Sequence, residues 1–207
     1  MLRSSPLVKA TDDDDDDRNE STIRRGFEIA PVPLNLNGKN RALVGLGSYI
    51  VNGQGDCNGC HNAGPATEFL PGGNPFFGQP EKINPATYLD GGRDFGPFPA
   101  PNSPLHIISR NLTPDRIGLP EGGNTFAEFV QIIRTGKDFD HLHPTCTGTP
   151  NSGCVPFPFN GDLLQIMPWP VYKNMTDHDL RAIYEYLSAI PCITGPPAPS
   201  SLHNDCS

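Results

Sequence analysis

Long apolar runs are missing from this 207-residue chain, and hydrophobic residues make up only 36% of it. No stretch approaches the roughly 18 consecutive apolar residues that a membrane-spanning helix needs, so no transmembrane segment is expected. Basic residues are scarce as well: 15 Lys and Arg stand against 23 Asp and Glu, for a net charge of -8. Six of those acids form one run, Asp12 to Asp17, and the remainder of the chain is close to balance. Without a basic stripe there is no electrostatic footprint for nucleic acid, which is excluded as an expected partner. An apolar leader core is also absent from Met1 to Ala10, so the chain is expected to begin after a removed leader or to lack its true start. What is plentiful is proline (24) and glycine (22), more than a fifth of the sequence. That composition, in a chain of about one domain's length, predicts a loop-rich protein with a small core.

Two regions separate along the chain. Residues 1–36 read as an N-terminal acidic and extended arm. The Asp run repels itself and buries nothing, and Pro31 and Pro33 favour an extended path after it. Residues 37–207 form the expected domain, ending in a tail rich in Cys and Pro. Three helices are predicted there. In Asn40 to Val51, Leu43, Leu46, Gly47 and Ile50 share one face, and Gly45 and Gly47 suit the close approach of another helix. In Thr125 to Thr135, Phe126, Phe129, Val130 and Ile133 repeat that spacing, with Asn124 or Thr125 as cap and Gly136 as stop. In Asp177 to Ile190, Thr176 is the N-cap, Asp177 and Asp179 oppose the helix dipole, and Leu180, Ile183, Tyr184 and Leu187 form the apolar face. The roughly 70 residues between the first two helices have little periodicity, as does the stretch 137–166. Loops of that length usually wrap something or carry function.

The chemistry is concentrated in Cys57-Asn-Gly-Cys60-His61. Two thiols at this spacing can add to the two vinyl groups of one haem, and the next residue puts an imidazole under the iron. A thioredoxin-like redox pair would need a surrounding βαβ pattern, which is absent. A structural zinc site would need a second ligand pair, and the seven residues between Cys146 and Cys154 suit that poorly. A sixth iron ligand must then come from elsewhere. Of three methionines, Met167 lies on a segment stiffened by Pro168 and Pro170, just before the last helix. A soft thioether there favours ferrous iron and raises the potential. Met175 sits beside the helix cap with little chain to reach across a haem, and His106 is the main rival. Arg110, Arg93 and Arg134 are candidates to neutralise haem propionates, since a bidentate guanidinium suits a carboxylate. His141, His143, His178 and His203 read as solvated or hydrogen-bonded side chains, and the Asn-x-Ser/Thr matches at Asn19, Asn111 and Asn174 as chance.

Taken together, the first helix, Cys57-x-x-Cys60-His61, the middle helix, Met167-Pro168-Trp169 and the last helix resemble class I cytochrome c. Asn111-Leu-Thr-Pro-Asp115, Phe126-x-x-Phe129 and Arg134-Thr-Gly136-Lys-Asp138 narrow this to the cytochrome c domains of multihaem subunits in bacterial membrane-bound dehydrogenases. The resemblance covers roughly residues 40–190. It implies a mainly α fold in which the first and last helices cross tightly, with Gly45, Gly47 and Tyr49 meeting Ile183, Tyr184 and Leu187. It also implies His61 and Met167 as axial ligands, with Trp169 near the haem. The chain departs from those subunits in having a single haem motif, the arm, the long loop before Asn111 and four further cysteines.

The expected function is one-electron transfer through one covalent haem c, between an exported redox donor and acceptor. Filled axial positions leave no site for a substrate, so an enzyme is not expected. Alternatives are a haem-bearing structural subunit of a larger complex or polymer, and an open-site haem enzyme or sensor. Haem attachment outside the cytoplasm places the chain in the periplasm or beyond, where thiols oxidise. Two disulfides are therefore expected, Cys146–Cys154 and Cys192–Cys206, each closing a short loop with Gly or Pro. Arg18, Arg24 and Arg25 cannot balance six aspartates, so the arm is expected to contact a neighbouring copy, a redox partner or cations such as calcium.

Overall fold

The structure is a computed structural model that describes the backbone from residue 12 and side chains from residue 19, through residue 196, together with residues 200 and 202–207. Residues 1–11 of the expected arm and the side chains of its Asp run lie outside the described residues. The chain forms α1 (Asp12–Ile29) and α2 (Arg41–Tyr49), and α2 runs on into a π-helical turn, Ile50–Gln54. Short helices α3 (Cys57–Cys60) and α4 (Pro65–Glu68) follow. Next come β1 (Asp94–Pro97) and β2 (His106–Ile108), paired antiparallel with Asp94 opposite Ile108 and Pro97 opposite His106. The turn α5 (Pro120–Gly123), α6 (Phe126–Thr135), α7 (Trp169–Tyr172) and α8 (Asp177–Leu187) complete a mainly helical architecture.

The three expected helices are present, the second and third at their expected caps, and Asn40 caps the first. Asn40 accepts from the backbone N–H groups of Ala42 and Leu43 at 3.0 and 3.2 Å. Thr125 with Glu128, and Thr176 with Asp179, form reciprocal capping boxes. The last helix stops at Leu187 rather than Ile190. The Ser188 hydroxyl turns back to the Tyr184 carbonyl at 2.8 Å, and Pro191 disfavours helical backbone at the residue before it.

The extended arm is corrected for residues 12–29, which are helical. Acidic residues at a helix N-terminus are favoured by the macrodipole. Further along, Ile23, Gly26 and Phe27 land on α2, and Arg24 and Arg25 reach Glu28 at 3.8 and 3.3 Å. Among the described residues of the arm, the proline-containing stretch after Ile29 is without helix, and it leads to a backbone bond from Asn35 N–H to the Ala189 carbonyl at 2.8 Å.

α2 is thus clasped between α1 and α8, and glycine makes both contacts possible. A Cβ on Gly26 would stand 1.8 Å from the Gly45 carbonyl oxygen, and one on Gly47 would stand 1.9 Å from that of Ala182. The tight crossing of the first domain helix with the last one is therefore present. It differs in detail: Gly47 meets Ala182 and Tyr186, while Gly45 faces Ile23 and Phe27 of α1. Val44, Ile50, Val51, Phe129, Ile133, Leu180, Ile183 and Leu187 form the centre of the core.

A buried polar ring locks the same junction. Tyr186 donates to the Tyr88 hydroxyl at 2.8 Å, Tyr88 donates to Asn52 Oδ1, and Asn52 Nδ2 donates to Tyr186 at 3.1 Å. Ser48 extends it to the Gly26 carbonyl at 2.7 Å. Both expected disulfides are present, Cys146–Cys154 and Cys192–Cys206. The second closes a tail whose Asn204 donates to the carbonyls of Thr113 and Pro114 at 3.0 and 2.8 Å. Asn111 is buried, with Nδ2 bonded to the Ile193 carbonyl, which accounts for its sequon match as a structural residue.

Gly47→Ala is expected to destabilise the fold by about 1–3 kcal/mol, the usual cost of forcing volume into a closed contact. Gly53→Ala, whose Cβ would find its nearest neighbour at 3.5 Å, is expected to be neutral within about 0.5 kcal/mol. Urea unfolding of the two variants compares them directly.

Candidate functional site

A cavity of about 390 Å³ lies between α3 and the segment 163–175, with α6 and α8 forming its inner wall. Its lining is mostly apolar, from Ile50, Val51, Leu112, Phe129, Ile133, Leu180, Ile183 and Leu187. Cys57, Cys60 and His61 reach it from α3, and Met167, Tyr172 and Met175 from the facing part of the chain.

The α3 turn is built by its own residues. Asp56 precedes it in the left-handed region at φ 46°, and a Cβ on Gly59 would meet the Asp56 carboxylate at 2.6 Å. The Cys57 carbonyl accepts from the His61 N–H at 2.8 Å, so the turn carries through to the imidazole. Arg93 also donates to the Gly59 carbonyl. Among the described cysteines only Cys57 and Cys60 are free thiols. Burial, then the Asp56 charge, pushes the Cys57 thiol up to about 12. Burial raises Cys60 too, against the lowering effect of Arg93.

His61 Nδ1 donates to the Arg110 carbonyl at 2.8 Å. That bond fixes the tautomer and leaves the lone pair on Nε2. Burial lowers the imidazole pKa, the hydrogen bond to Arg110 opposes this, and the Arg110 charge adds to the lowering. A neutral imidazole with a free Nε2 is the form that binds a metal. These are donors that fit a haem: two unpaired thiols, a correctly polarised imidazole and a thioether on one apolar cavity.

The three arginines are engaged with the protein itself. Arg110 donates to Asp138 at 2.8 Å and forms an ion pair with Asp140 at 2.9 Å, and the Asp138 side chain is only 8% exposed. Arg134 donates to the carbonyls of Lys173 and Met175 and to Asp177. Arg93 holds the α3 turn and lies over Phe95. Trp169 is not part of the cavity lining. Its ring covers Gly136, where a Cβ would come within 2.2 Å, and its Nε1 donates to the Leu164 carbonyl at 3.2 Å. Met175 lines the same cavity as Met167. His106 reaches the rim paired to Asp94 at 2.8 Å. His143 also lines the cavity, whereas His141 is exposed beside Asp162, His178 is exposed on α8 and His203 donates to the Pro196 carbonyl.

Three residues at or near the site had no place in the sequence reading. Glu121 projects into the cavity beside Asn124, which donates to it at 3.0 Å, and burial raises its pKa. A carboxylate in a Gly-rich turn gives no periodic signal. Tyr172 had one: it falls one helical turn after Pro168. Asp90 sits in the turn that presents Gly91 N–H to the His61 carbonyl at 3.0 Å.

Asp90 generates a testable pH effect. Its Oδ1 has no hydrogen-bond partner, and burial raises its pKa to about 6. A folded-state pKa above the unfolded one means that ionisation opposes folding. The penalty is absent below about pH 4 and complete above about pH 6. Asp90→Asn is expected to stabilise the protein at pH 7.5 by about 1 kcal/mol, after discounting for the half-exposed position, and to give no gain near pH 4. Thermal unfolding at both pH values checks this; an equal effect at both would contradict it.

Comparison with known proteins agrees with the motif resemblance. The chain is 27% identical over 150 residues to the gluconate 2-dehydrogenase cytochrome c subunit of Pantoea cypripedii, covering 71% of this chain and 23% of that protein. It is 28% identical over 169 residues to the cytochrome c subunits of quinone alcohol dehydrogenases from Gluconacetobacter polyoxogenes and Komagataeibacter europaeus, covering 80% of this chain and 25% of each. The similarity to dehydrogenase cytochrome subunits is therefore borne out, and the helical architecture is compatible with a cytochrome c fold. The chain spans about a quarter of the length of these relatives. No protein-family model matches it, and no solved structure does.

Proposed function

We propose that this chain is a one-electron carrier: a class I cytochrome c domain holding a single covalent haem c, with His61 and Met167 as axial ligands. The observation that carries the reading is the α3 turn. It presents two free thiols and a neutral imidazole, with Nδ1 already bonded to Arg110, to one apolar cavity. A haem bound there supplies a one-electron couple. Cys57 and Cys60 hold it by thioether bonds, and His61 offers Nε2. Met167 offers a soft sulfur from a segment whose backbone is restrained by Pro168 and Pro170. The apolar walls exclude water, so little solvent reorganises when charge changes.

With both axial positions taken by side chains, no site remains for substrate, and the chain acts as an electron-transfer protein rather than an enzyme. Its partners are a redox donor and acceptor. The relatives' names favour a second reading alongside the first, that the chain is the cytochrome component of a dehydrogenase complex. Thioether attachment and the two disulfides both favour an exported protein, periplasmic or extracellular. The N-terminal residues before Asn37 are the proposed contact to a partner or a second copy.

Denaturing mass spectrometry is expected to give the polypeptide plus one haem, and haem released by acidified solvent would overturn attachment. Met167→Ala is expected to abolish the weak long-wavelength absorption of sulfur-ligated ferric haem, lower the potential and open the iron to carbon monoxide. Loss of that band in Met175→Ala, and not in Met167→Ala, would reassign the ligand.

A further inference from the structure

We propose that Tyr172 is a positioning residue that braces the distal-ligand segment against the haem-attachment turn; the proposal rests on the reading of Met167 as that ligand. Its hydroxyl donates to the Gly55 carbonyl at 3.0 Å, and its ring lines the cavity beside Met167. Gly55 closes the π-helical turn, its N–H bonded to the Ile50 carbonyl at 2.7 Å, two residues before Cys57. At the other end, Tyr172 is tied to the ligand through one rigid turn. α7 starts directly after Pro168, and Tyr172 N–H bonds the Pro168 carbonyl at 3.3 Å.

The remaining restraints on this segment pull from the other side. Leu164 N–H bonds the Gly136 carbonyl at 2.7 Å, Trp169 covers Gly136, and Arg134 holds the carbonyls of Lys173 and Met175. All of these belong to α6 and its C-terminal turn. Among the described residues, the Tyr172–Gly55 bond is the one hydrogen bond that joins 163–175 to 50–61. Both of its residues line the cavity, so the two ligand-bearing segments are joined at the cavity's own wall. Without it, the Met167 segment stays docked on α6 but loses its tether to the attachment side, and Met167 yields more readily to a competing ligand.

Tyr184 is an internal control. Its hydroxyl also donates to a backbone carbonyl, that of Asn124, at 3.0 Å, and its ring does not line the cavity. The test uses the haem-loaded full chain, with Tyr172→Phe and Tyr184→Phe compared under imidazole titration of the ferric protein at neutral pH. Tyr172→Phe is expected to keep the sulfur–iron band without imidazole and to lose it to imidazole about fivefold more easily, the change that one net hydrogen bond implies. Tyr184→Phe is expected to match the parent. A denaturant titration gives the second readout: in Tyr172→Phe the band should disappear before helical circular dichroism does, whereas Tyr184→Phe should shift both together. Equal imidazole affinity in Tyr172→Phe and parent, or band and helix lost together in Tyr172→Phe, overturns the brace. Persistence of the band in Met167→Ala would instead overturn the ligand assignment beneath it.

Discussion

The close backbone contact of α2 with α8 is the constraint on which the rest depends. Only hydrogen at Gly47 lets the helix reach the Ala182 carbonyl. That approach sets the position of the π-helical turn, which continues α2, and so of Asp56 and the α3 turn. It also puts Leu180, Ile183 and Leu187 behind the cavity as a fixed wall. On the other flank, Gly26 and Gly45 allow α1 an equally close approach. Dispersion over two such contacts, with the Tyr88–Tyr186–Asn52 ring fully hydrogen-bonded between them, gives a rigid base from a small core.

The long loops then have one task, to carry donors across that base. Residues 89–93 present Gly91 and Arg93 to the attachment turn, and Arg110 follows with its carbonyl to His61. Arg110 does this while its guanidinium is neutralised by Asp138 and Asp140. The charge that the sequence suggests for a cofactor carboxylate is thus placed in an ion pair that anchors the carbonyl. The same economy holds for Arg134, which fixes the junction of α7 and α8, and for Trp169, which seats the ligand segment on Gly136. The tail beyond α8 secures Asn111 to Pro114 through Asn204 and the Cys192–Cys206 bridge.

The helices with a regular apolar face were legible in the sequence. Asn40, Thr125 and Thr176 act as caps because the side-chain oxygens that stand there match the orphan N–H groups of a first turn. The disulfide pairings followed from loop length, and the attachment motif from its spacing. α1 was not legible. A run of like charges argues for a solvated chain, and the stabilising factors, the helix dipole and the contact of Ile23, Gly26 and Phe27 with α2, are respectively collective and tertiary. Trp169 and the arginines were assigned by chemical suitability alone: Arg110 does line the cavity, already paired to Asp138, whereas Trp169, Arg93 and Arg134 lie outside the lining. Tyr172 and Tyr88 were missed because their partners, Gly55 and Tyr186, are more than 95 residues away in sequence.

Whether the donors on this cavity act together on one iron is the central claim. Iron K-edge X-ray absorption of the oxidised, haem-loaded chain tests it most directly. The account predicts one iron per chain with a single sulfur scatterer in its first shell beside nitrogen, and loss of that sulfur in Met167→Ala. A nitrogen-only or oxygen-containing first shell in the unaltered protein would contradict it.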